Sequence, residues 1–243
     1  MDEETENLNN VKLNKRIMRT LVVVDEQKHF YDPSGALYVS GGEKTVPEIR
    51  DLILTDMSIN QIIFTADWHT PEDRSFKKNG GKWEVHCVQF SEGASISGEL
   101  LEAAMYRGFK SIDGSYYNGG EPEINKFFIS NTYDVFQKGD VPTQEEYGAF
   151  SEYEESEEDE DLVIMTGVSG DSCAYLNVQN DVVVCGLAGD YCVLETAKNL
   201  LEILKGREGA GKLMMYLPGI ASIDDGTKLK EWMEKEGIKE YIK

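Results

Sequence analysis

Residues 181–204, DVVVCGLAGDYCVLETAKNLLEIL, predict a buried strand, a tight turn and a helix in direct succession. The first part, residues 181–187 (DVVVCGL), is a short apolar run rich in β-branched side chains, which is typical of a strand covered on both faces. After the turn, Asp190 is suited to cap a helix that runs to about Leu204, with Cys192 in its first turn. A strand that leads directly into a helix is the repeating unit of parallel α/β sheets.

The same alternation recurs along the rest of the chain. Further buried strands are predicted at residues 21–24 (LVVV), 61–66 (QIIFTA), 133–136 and 212–217. Helical spacing of apolar residues is found at about 43–57, 97–107 and 226–236. This order predicts an α/β fold, a doubly wound and mostly parallel sheet flanked by helices on both faces.

A chain of 243 residues suits one main domain, which we place at residues 19–243 behind a flexible, polar N-terminal extension at 1–18. An acidic inserted loop at about 151–180 interrupts the alternation. Eight of the ten residues 152–161 are acidic, and so dense a block of like charge is usually solvated and disordered. Residues 162–168 (LVIMTGV) look strand-like and are expected to add a strand or hairpin. A tolerated surface insertion is the simplest interpretation, with partner binding or solubility left open.

Composition limits the class of partner. The net charge of −21 argues against nucleic acid and against anionic lipid, because phosphates would be repelled. No apolar run is long enough to span a bilayer, and the acidic start of the chain lacks the apolar core of a secretory signal. The four cysteines have neither disulfide-framework nor zinc-ribbon spacing, which favours reduced thiols in a cytosol. We therefore expect a cytoplasmic protein without membrane or nucleic-acid partners, and a homo-oligomer is left open.

Polar groups follow several of the predicted strands. Asp25, Asp67, Lys138 and the turn at residues 189–192 each come just after one. Because ligand sites of open α/β sheets lie beyond the carboxyl ends of the strands, these groups are expected to converge on one sheet edge.

Cys192 is the candidate nucleophile at that edge. In the first turn of a helix it would lie among unpaired N–H groups at the positive end of the macrodipole, which favours the thiolate. Lys138 would lower the thiol pKa further, Asp25 could accept the proton, and the N–H groups of the turn could stabilise an oxyanion. Taken singly, most free cysteines are small buried apolar residues, so it is the convergence of the three that favours catalysis.

A metal site is predicted beside the nucleophile. Asp67 and His69 flank Trp68, so that on an extended backbone both side chains point to the same side. A carboxylate and an imidazole suit Zn²⁺, with Fe²⁺ or Mn²⁺ as alternatives, and His86 would complete three protein ligands. Such a set leaves positions for water and substrate, as a catalytic metal requires. Isolated, a D-x-H pair or a lone histidine is more often a hydrogen-bonded structural feature.

Six ordered parts of the chain carry a specific resemblance. They are 25–30 (DEQKHF) with 35–37 (GAL), 67–71 (DWHTP) with 75–76 (SF), 80–89 (GGKWEVHCVQ), 138–139 (KG), 147–150 (YGAF) and 186–197 (GLAGDYCVLETA). Together they resemble the nicotinamidase branch of the isochorismatase-like cysteine hydrolases, over roughly residues 20–225. The resemblance implies hydrolysis of nicotinamide to nicotinate and ammonia in NAD salvage, through a thioester and with one divalent metal ion, zinc first and iron or manganese as alternatives.

The resemblance also implies roles for individual residues. The implied triad is Asp25, Lys138 and Cys192, and the implied metal ligands are Asp67, His69 and His86. Phe30 and Trp83 are implied to flank the pyridine ring and Tyr147 to contact the substrate, while the N–H groups of Ala188 and Cys192 form the oxyanion hole. The peptide between Leu187 and Ala188 is expected to be cis, as is common in the family.

The chain departs from the family pattern at four positions. His29 replaces the usual Asp or Asn, Thr70 is inserted before the proline, Asp73 stands near a common histidine, and Glu84 replaces a proline. None of them removes an implied triad residue or metal ligand. The alternatives are a relative that acts on an isochorismate-like vinyl ether or an N-carbamoyl group, a non-catalytic binding protein that uses the acidic tract, and a structural domain with coincidental motifs.

Overall fold

The computed structural model describes residues 18–115 and 133–243. The predicted N-terminal extension lies outside the described residues except for Met18. In the described residues the strands are β1 Arg19–Val24, β2 Ile59–Asp67, β3 Asp134–Lys138, β4 Glu152–Glu155, β5 Leu162–Thr166, β6 Cys173–Asn177, β7 Asp181–Gly186, β8 Leu213–Ile220 and β9 Lys239–Glu240. The helices are α1 Lys28–Tyr31, α2 Gly42–Thr55, α3 Gly98–Ser115, α4 Cys192–Leu204 and α5 Thr227–Glu236, with short 3₁₀ turns at Lys77–Asn79 and Glu92–Ala94.

The central sheet has six strands in the order β3-β2-β1-β7-β8-β9, and every neighbouring pair is parallel. Its middle strand β1 is paired on both sides, with Val22 opposite Ile63 of β2 and Val184 of β7. Apolar side chains are buried on both faces of these strands, which explains why their sequences are continuous apolar runs and do not alternate. The predicted parallel α/β sheet is confirmed.

Helices cover both faces of the sheet. On one face Val22 packs in a core cluster with Leu200 of α4 and Leu229 of α5. On the other face Leu21 packs in a second cluster with Leu52 of α2 and Leu100 of α3. The doubly wound arrangement is therefore confirmed, and it leaves the carboxyl ends of the strands open for a site.

The acidic insertion is more ordered than the sequence predicts. Strands β4, β5 and β6 form a small antiparallel sheet, and its inner side chains Val163, Met165 and Leu176 join the core cluster that contains α4. The prediction of disorder is wrong for Glu152–Glu155, which are paired with β5 as strand β4. Pairing with an anchored strand fixes the backbone, while the β4 side chains stay exposed. The predicted strand near 162–168 is confirmed as β5.

Two helix boundaries differ from the predictions. Helix α3 continues past Gly108 to Ser115, since one glycine inside a helix costs only about 1 kcal/mol and need not end it. Helix α4 is preceded by Tyr191 at its N-cap, without a side-chain capping bond. Asp190 does not cap it, because its carboxylate accepts the N–H groups of Ile223 (3.0 Å) and Asp224 (2.6 Å) and so ties the turn before α4 to the segment after β8. Within the described ranges, no helix has the length and apolar character needed to cross a membrane.

Candidate active site and metal centre

Polar side chains meet at the carboxyl edge of the central sheet. Asp25 directly follows β1, Asp67 and Lys138 are the last residues of the adjacent strands β2 and β3, and Cys192 begins α4 just beyond β7. All four side chains are buried. The structure brings these residues together, with β2 ending one residue and β3 two residues later than predicted, so that Asp67 and Lys138 are the last residues of their strands.

Lys138 is the cation at the centre of this group, and its side chain is fully buried. Its Nζ lies 2.9 Å from Oδ2 of Asp25 and 3.8 Å from Sγ of Cys192, and it donates a hydrogen bond to Asp67. Burial alone would lower the pKa of Lys138, but the carboxylates of Asp25 and Asp67 raise it well above its usual range. Lys138 is therefore a fixed positive charge and not a proton donor near neutral pH.

Asp25 is held rigidly but keeps one oxygen available. Its backbone has a left-handed φ of +47°, rare for a residue with a side chain. Thr65 of β2 fixes this conformation, since its Oγ1 donates to Asp25 Oδ1 at 2.6 Å and its carbonyl accepts the Asp25 N–H at 3.2 Å. Among the described residues no donor makes a hydrogen bond of good geometry to Oδ2, despite the nearness of Lys138. Burial raises the pKa of Asp25, with Lys138 opposing, which suits this carboxyl to proton exchange.

The thiol of Cys192 differs from the sequence expectation. Burial raises its pKa well above the usual value, and the opposing effect of Lys138 does not compensate. The sequence predicts that the helix terminus and Lys138 favour the thiolate, whereas in the folded protein removal of the thiol from water raises its pKa by more than Lys138 lowers it. The site holds a neutral thiol next to Asp25, so a base is needed at the moment of attack.

The turn before α4 presents two backbone N–H groups. The peptide bond between Leu187 and Ala188 is cis, as predicted. The carbonyl of Ala188 accepts the N–H groups of Tyr191 (3.0 Å) and Val193 (3.1 Å), which closes the turn. Across the described residues, the N–H groups of Ala188 and Cys192 have no hydrogen-bond acceptor in the protein. Both are thus free to donate to a ligand oxygen.

Asp67, His69 and His86 form a cluster with the chemistry of a metal site. Oδ2 of Asp67 lies 3.4 Å from Nε2 of His69 and 3.6 Å from Nε2 of His86, and both imidazoles are buried. One carboxylate oxygen and two imidazole nitrogens at mutual distances of this size form a set of three protein ligands for a divalent ion. These residues fit the metal that the family resemblance implies.

The other nitrogen of each imidazole has a partner, as is usual for metal-binding histidines. His86 Nδ1 lies 2.7 Å from the carbonyl of Glu84. His69 Nδ1 lies 2.8 Å from the carbonyl of Gly139 and 3.1 Å from Oδ2 of Asp73. Burial lowers the pKa of His69, but Asp67 and Asp73 outweigh it and raise the pKa to about 10. The cluster therefore attracts positive charge, and a metal ion must displace a proton there.

A pocket opens next to both groups of residues. Its lining combines the metal cluster and Cys192 with the aromatic side chains of Phe30, Trp83, Tyr147 and Tyr191. The indole N–H of Trp83 donates to the hydroxyl of Tyr147 (3.0 Å), and the ring of Tyr191 packs edge-on against Trp83 at 5.2 Å. An aromatic, partly enclosed pocket of this kind suits a flat heterocycle.

Sequence reasoning missed several residues that support the site. Thr65 fixes Asp25, Asp73 contacts His69, Tyr191 contacts Trp83, and Glu146 accepts the N–H of Gly139 (2.9 Å). Only Asp73 carried a signal, as a departure from the family pattern. The contacts of Thr65 and Tyr191 join residues far apart in the chain, and the contact of Glu146 with Gly139 depends on how the loop after β3 folds.

Comparisons with known proteins give related sequences and related folds. No family model matches the chain. The chain is 26% identical to the nicotinamidase of Saccharomyces cerevisiae over 213 residues, covering 76% of this chain and 82% of that protein. The crystal structure of PnC1 from L. infantum in complex with nicotinate is similar, with a TM-score of 0.64, 22% identity and coverage of 93% of both chains. Pyrazinamidase of Pyrococcus horikoshii in complex with zinc gives a TM-score of 0.61 at 23% identity, covering 92% of this chain and 98% of that one.

Sequence similarity over about three quarters of the chain and overall structural similarity lead to the same relationship. The chain is similar in sequence to curated nicotinamidases and has the same fold as solved nicotinamidases and an isochorismatase-like hydrolase.

Proposed function

We propose that the protein is a nicotinamidase, an amide hydrolase that converts nicotinamide to nicotinate and ammonia through a cysteine thioester and with one divalent metal ion. The observation that carries this proposal is that Cys192 and the Asp67–His69–His86 cluster line one aromatic pocket, with Asp25 and Lys138 in contact with them. The similarity to nicotinamidases supports the choice of substrate.

The pocket residues orient the substrate. Phe30 and Trp83 both line the pocket, and in this proposal their rings pack against the pyridine. When bound to Asp67, His69 and His86, a divalent ion supplies a Lewis acid that can hold an electron-pair donor of the substrate. Zinc is the first choice for this ligand set, and iron or manganese are alternatives.

The first half of the reaction forms the thioester. Sγ of Cys192 attacks the carboxamide carbon while Oδ2 of Asp25 takes the thiol proton, which the raised pKa of the thiol makes necessary. The carbonyl oxygen gains the displaced electron pair, and the N–H groups of Ala188 and Cys192 donate to it. One such donor contributes about 3–4 kcal/mol in comparable sites. Asp25 then gives its proton to the nitrogen as the C–N bond breaks, and ammonia leaves.

The second half restores the enzyme. Asp25, again ionised, removes a proton from a water that attacks the thioester carbon. The C–S bond breaks, the proton passes to the sulfur, and nicotinate leaves. Lys138 keeps its proton throughout and stabilises the negative charge that alternates between Asp25 and the sulfur.

The test is ammonia release from nicotinamide by purified protein. Release is expected to stop after chelation and to return with Zn²⁺, Fe²⁺ or Mn²⁺. Cys192→Ala is expected to lose turnover but keep its bound metal, whereas Cys173→Ala, which changes an exposed cysteine on β6, keeps full activity. A covalent nicotinoyl adduct on Cys192, trapped by acid quench and located by mass spectrometry, would identify the thioester.

The alternatives predict different outcomes. Metal-loaded protein that releases no ammonia from nicotinamide but cleaves an N-carbamoyl amide or an isochorismate-like ether would contradict the substrate. Full activity of Cys192→Ala would rule out the covalent mechanism. Metal-loaded protein inactive on all three substrates would favour a binding protein.

A further inference from the structure

His29 is a departure from the family pattern that contacts Cys87, the residue next to the metal-cluster residue His86. It stands on the short helix α1, between the catalytic strand end and the pocket residue Phe30. Its Nδ1 lies 2.9 Å from the backbone nitrogen of Cys87 and accepts that N–H. An imidazole nitrogen that accepts a hydrogen bond carries no proton and has its lone pair in use, so Nδ1 is not available to a metal.

Cys87 is a junction between the two histidine segments of the metal cluster. It follows His86 directly, and its carbonyl accepts the N–H of His69 at 3.1 Å. Its backbone has a left-handed φ of +41°, which residues other than glycine rarely adopt, and its side chain is fully buried. A backbone in that conformation persists only if its surroundings hold it, and the N–H bond to His29 is one of those restraints.

The surroundings also leave room for the imidazole. Gly93, in the 3₁₀ turn Glu92–Ala94, faces the His29 ring so closely that a Cβ there would lie 2.0 Å from two of its atoms. A side chain at position 93 would therefore displace the ring from Cys87. Because Gly93 has no side chain, the His29 ring has room to place Nδ1 at the N–H of Cys87. His29 thus connects α1 to the segment that carries His86.

We propose that His29 is a positioning residue for the metal centre: it holds the N–H of Cys87 and thereby fixes His86 and His69 relative to each other. It is not a metal ligand. Partners of this kind, one step removed from the metal, typically affect metal affinity by about 10–100-fold. The inference rests on the proposed metal site and adds a residue that sets its geometry.

A matched pair of variants isolates the hydrogen bond. In His29→Asn the amide oxygen takes the position of Nδ1 and can still accept, whereas in His29→Leu a methyl group of similar placement cannot. Both lose the outer part of the ring, so a role in packing alone would affect them equally. Lys28→Met is the control for general loosening, because the Lys28–Glu92 ion pair joins the same helix to the same loop.

The measurement is the zinc dissociation constant by competition with a chromogenic chelator, together with hydrogen exchange of the Cys87 amide in metal-free protein. We expect His29→Leu to weaken zinc binding by about 10-fold or more and to speed exchange at Cys87. His29→Asn and Lys28→Met are expected to stay within about threefold of the wild type, less than the effect of His29→Leu. If His29→Leu does not fold, His29→Asn is compared with the wild type in both measurements. Weaker zinc binding together with faster exchange of the Cys87 amide in His29→Asn, although this variant keeps the acceptor, would contradict the role.

The two proposals fail in different ways. A wild-type protein that binds no divalent metal would overturn the metal site and this inference with it. A wild-type protein that binds zinc, with equal affinity in His29→Leu and His29→Asn, would overturn only the role of His29.

Discussion

The ammonium group of Lys138 lies 3.8 Å from the sulfur of Cys192, and both side chains are almost completely shielded from water. At this distance a charge acts strongly in a poorly solvated site, yet burial still keeps the resting thiol protonated. In the proposed mechanism Lys138 therefore stabilises the thiolate as it forms, and Asp25 accepts the thiol proton. It also compensates two buried carboxylates, those of Asp25 and Asp67.

Lys138→Met is expected to lower both activity and stability. Without the cation the carboxyl of Asp25 favours its protonated form, which cannot accept the thiol proton, so kcat/KM should fall at least about 100-fold, the usual scale for loss of general base catalysis. Removing one partner of a buried ion pair also costs about 3–5 kcal/mol of unfolding free energy, to be measured by urea denaturation. Lys198→Met breaks an exposed pair with Glu195 and should change stability by less than about 1 kcal/mol. Near-normal kcat/KM in Lys138→Met would contradict the role of the cation.

Tyr147→Phe tests how Trp83 is oriented. The hydroxyl of Tyr147 accepts the indole N–H of Trp83 and donates to Glu145, so its loss frees the indole to rotate away from the pocket. A neutral hydrogen bond contributes about 0.5–1.5 kcal/mol, which predicts a rise in KM for nicotinamide of roughly 2–10-fold with kcat little changed. Tyr175→Phe, on the exposed face of β6, should leave both constants unaltered. A fall in kcat at constant KM would instead give Tyr147 a part in the chemical step.

The sheet and its site edge could be predicted because the relevant signals are local. Apolar runs such as residues 21–24 and 181–187 predict strands, and parallel strands bring Asp25 and Cys192 to the same edge. The three metal-cluster residues come from two short segments whose spacing is visible in the chain.

Other features depend on tertiary neighbours and were not predictable. The pKa of Cys192 depends on how much water the folded pocket excludes, which no spacing of residues specifies. Asp190 has the sequence of a helix cap, but its carboxylate binds the N–H groups at 223 and 224, which approach it only after β8 takes its place in the sheet. Similarly, β4 forms because β5 offers an edge to pair with, although its own composition favours disorder.

Neutralising the exposed acidic loop is expected to leave catalysis unchanged. Glu157, Glu158, Asp159 and Glu160 are exposed in the turn between β4 and β5. Nicotinamide is uncharged, so the field of these carboxylates does not steer its approach. The fourfold variant with Gln and Asn at these positions should keep kcat/KM close to the wild-type value at low and at physiological salt. If the fourfold variant loses activity, and added salt lowers the activity of the wild type in the same way, the insertion takes part in catalysis.

Glu26 is expected to make stability depend on pH. The side chain is fully buried and next to Asp25 in the chain, with one oxygen accepting the hydroxyl of Thr45 at 2.6 Å and the other without a partner among the described residues. Burial raises its pKa from the ordinary 4.5 to about 8. Below the ordinary value both folded and unfolded chains hold the proton, so burial of the carboxyl has no ionisation cost. As the pH rises from there to about 8, the unfolded chain loses the proton and the folded chain keeps it, and stability falls.

Glu26→Gln removes this dependence because a glutamine resembles the protonated acid and keeps an acceptor for Thr45. The unfolding free energy of the variant relative to the wild type should therefore rise between about pH 5 and pH 8, with an upper bound of about 5 kcal/mol, since one pKa unit corresponds to about 1.4 kcal/mol. Urea denaturation at the two pH values measures it, with Glu102→Gln on the exposed side of α3 as the control that should show no such rise. An equal difference between Glu26→Gln and the wild type at both pH values would mean that the carboxyl ionises normally in the folded protein, and that water or a conformational adjustment reaches its unpartnered oxygen.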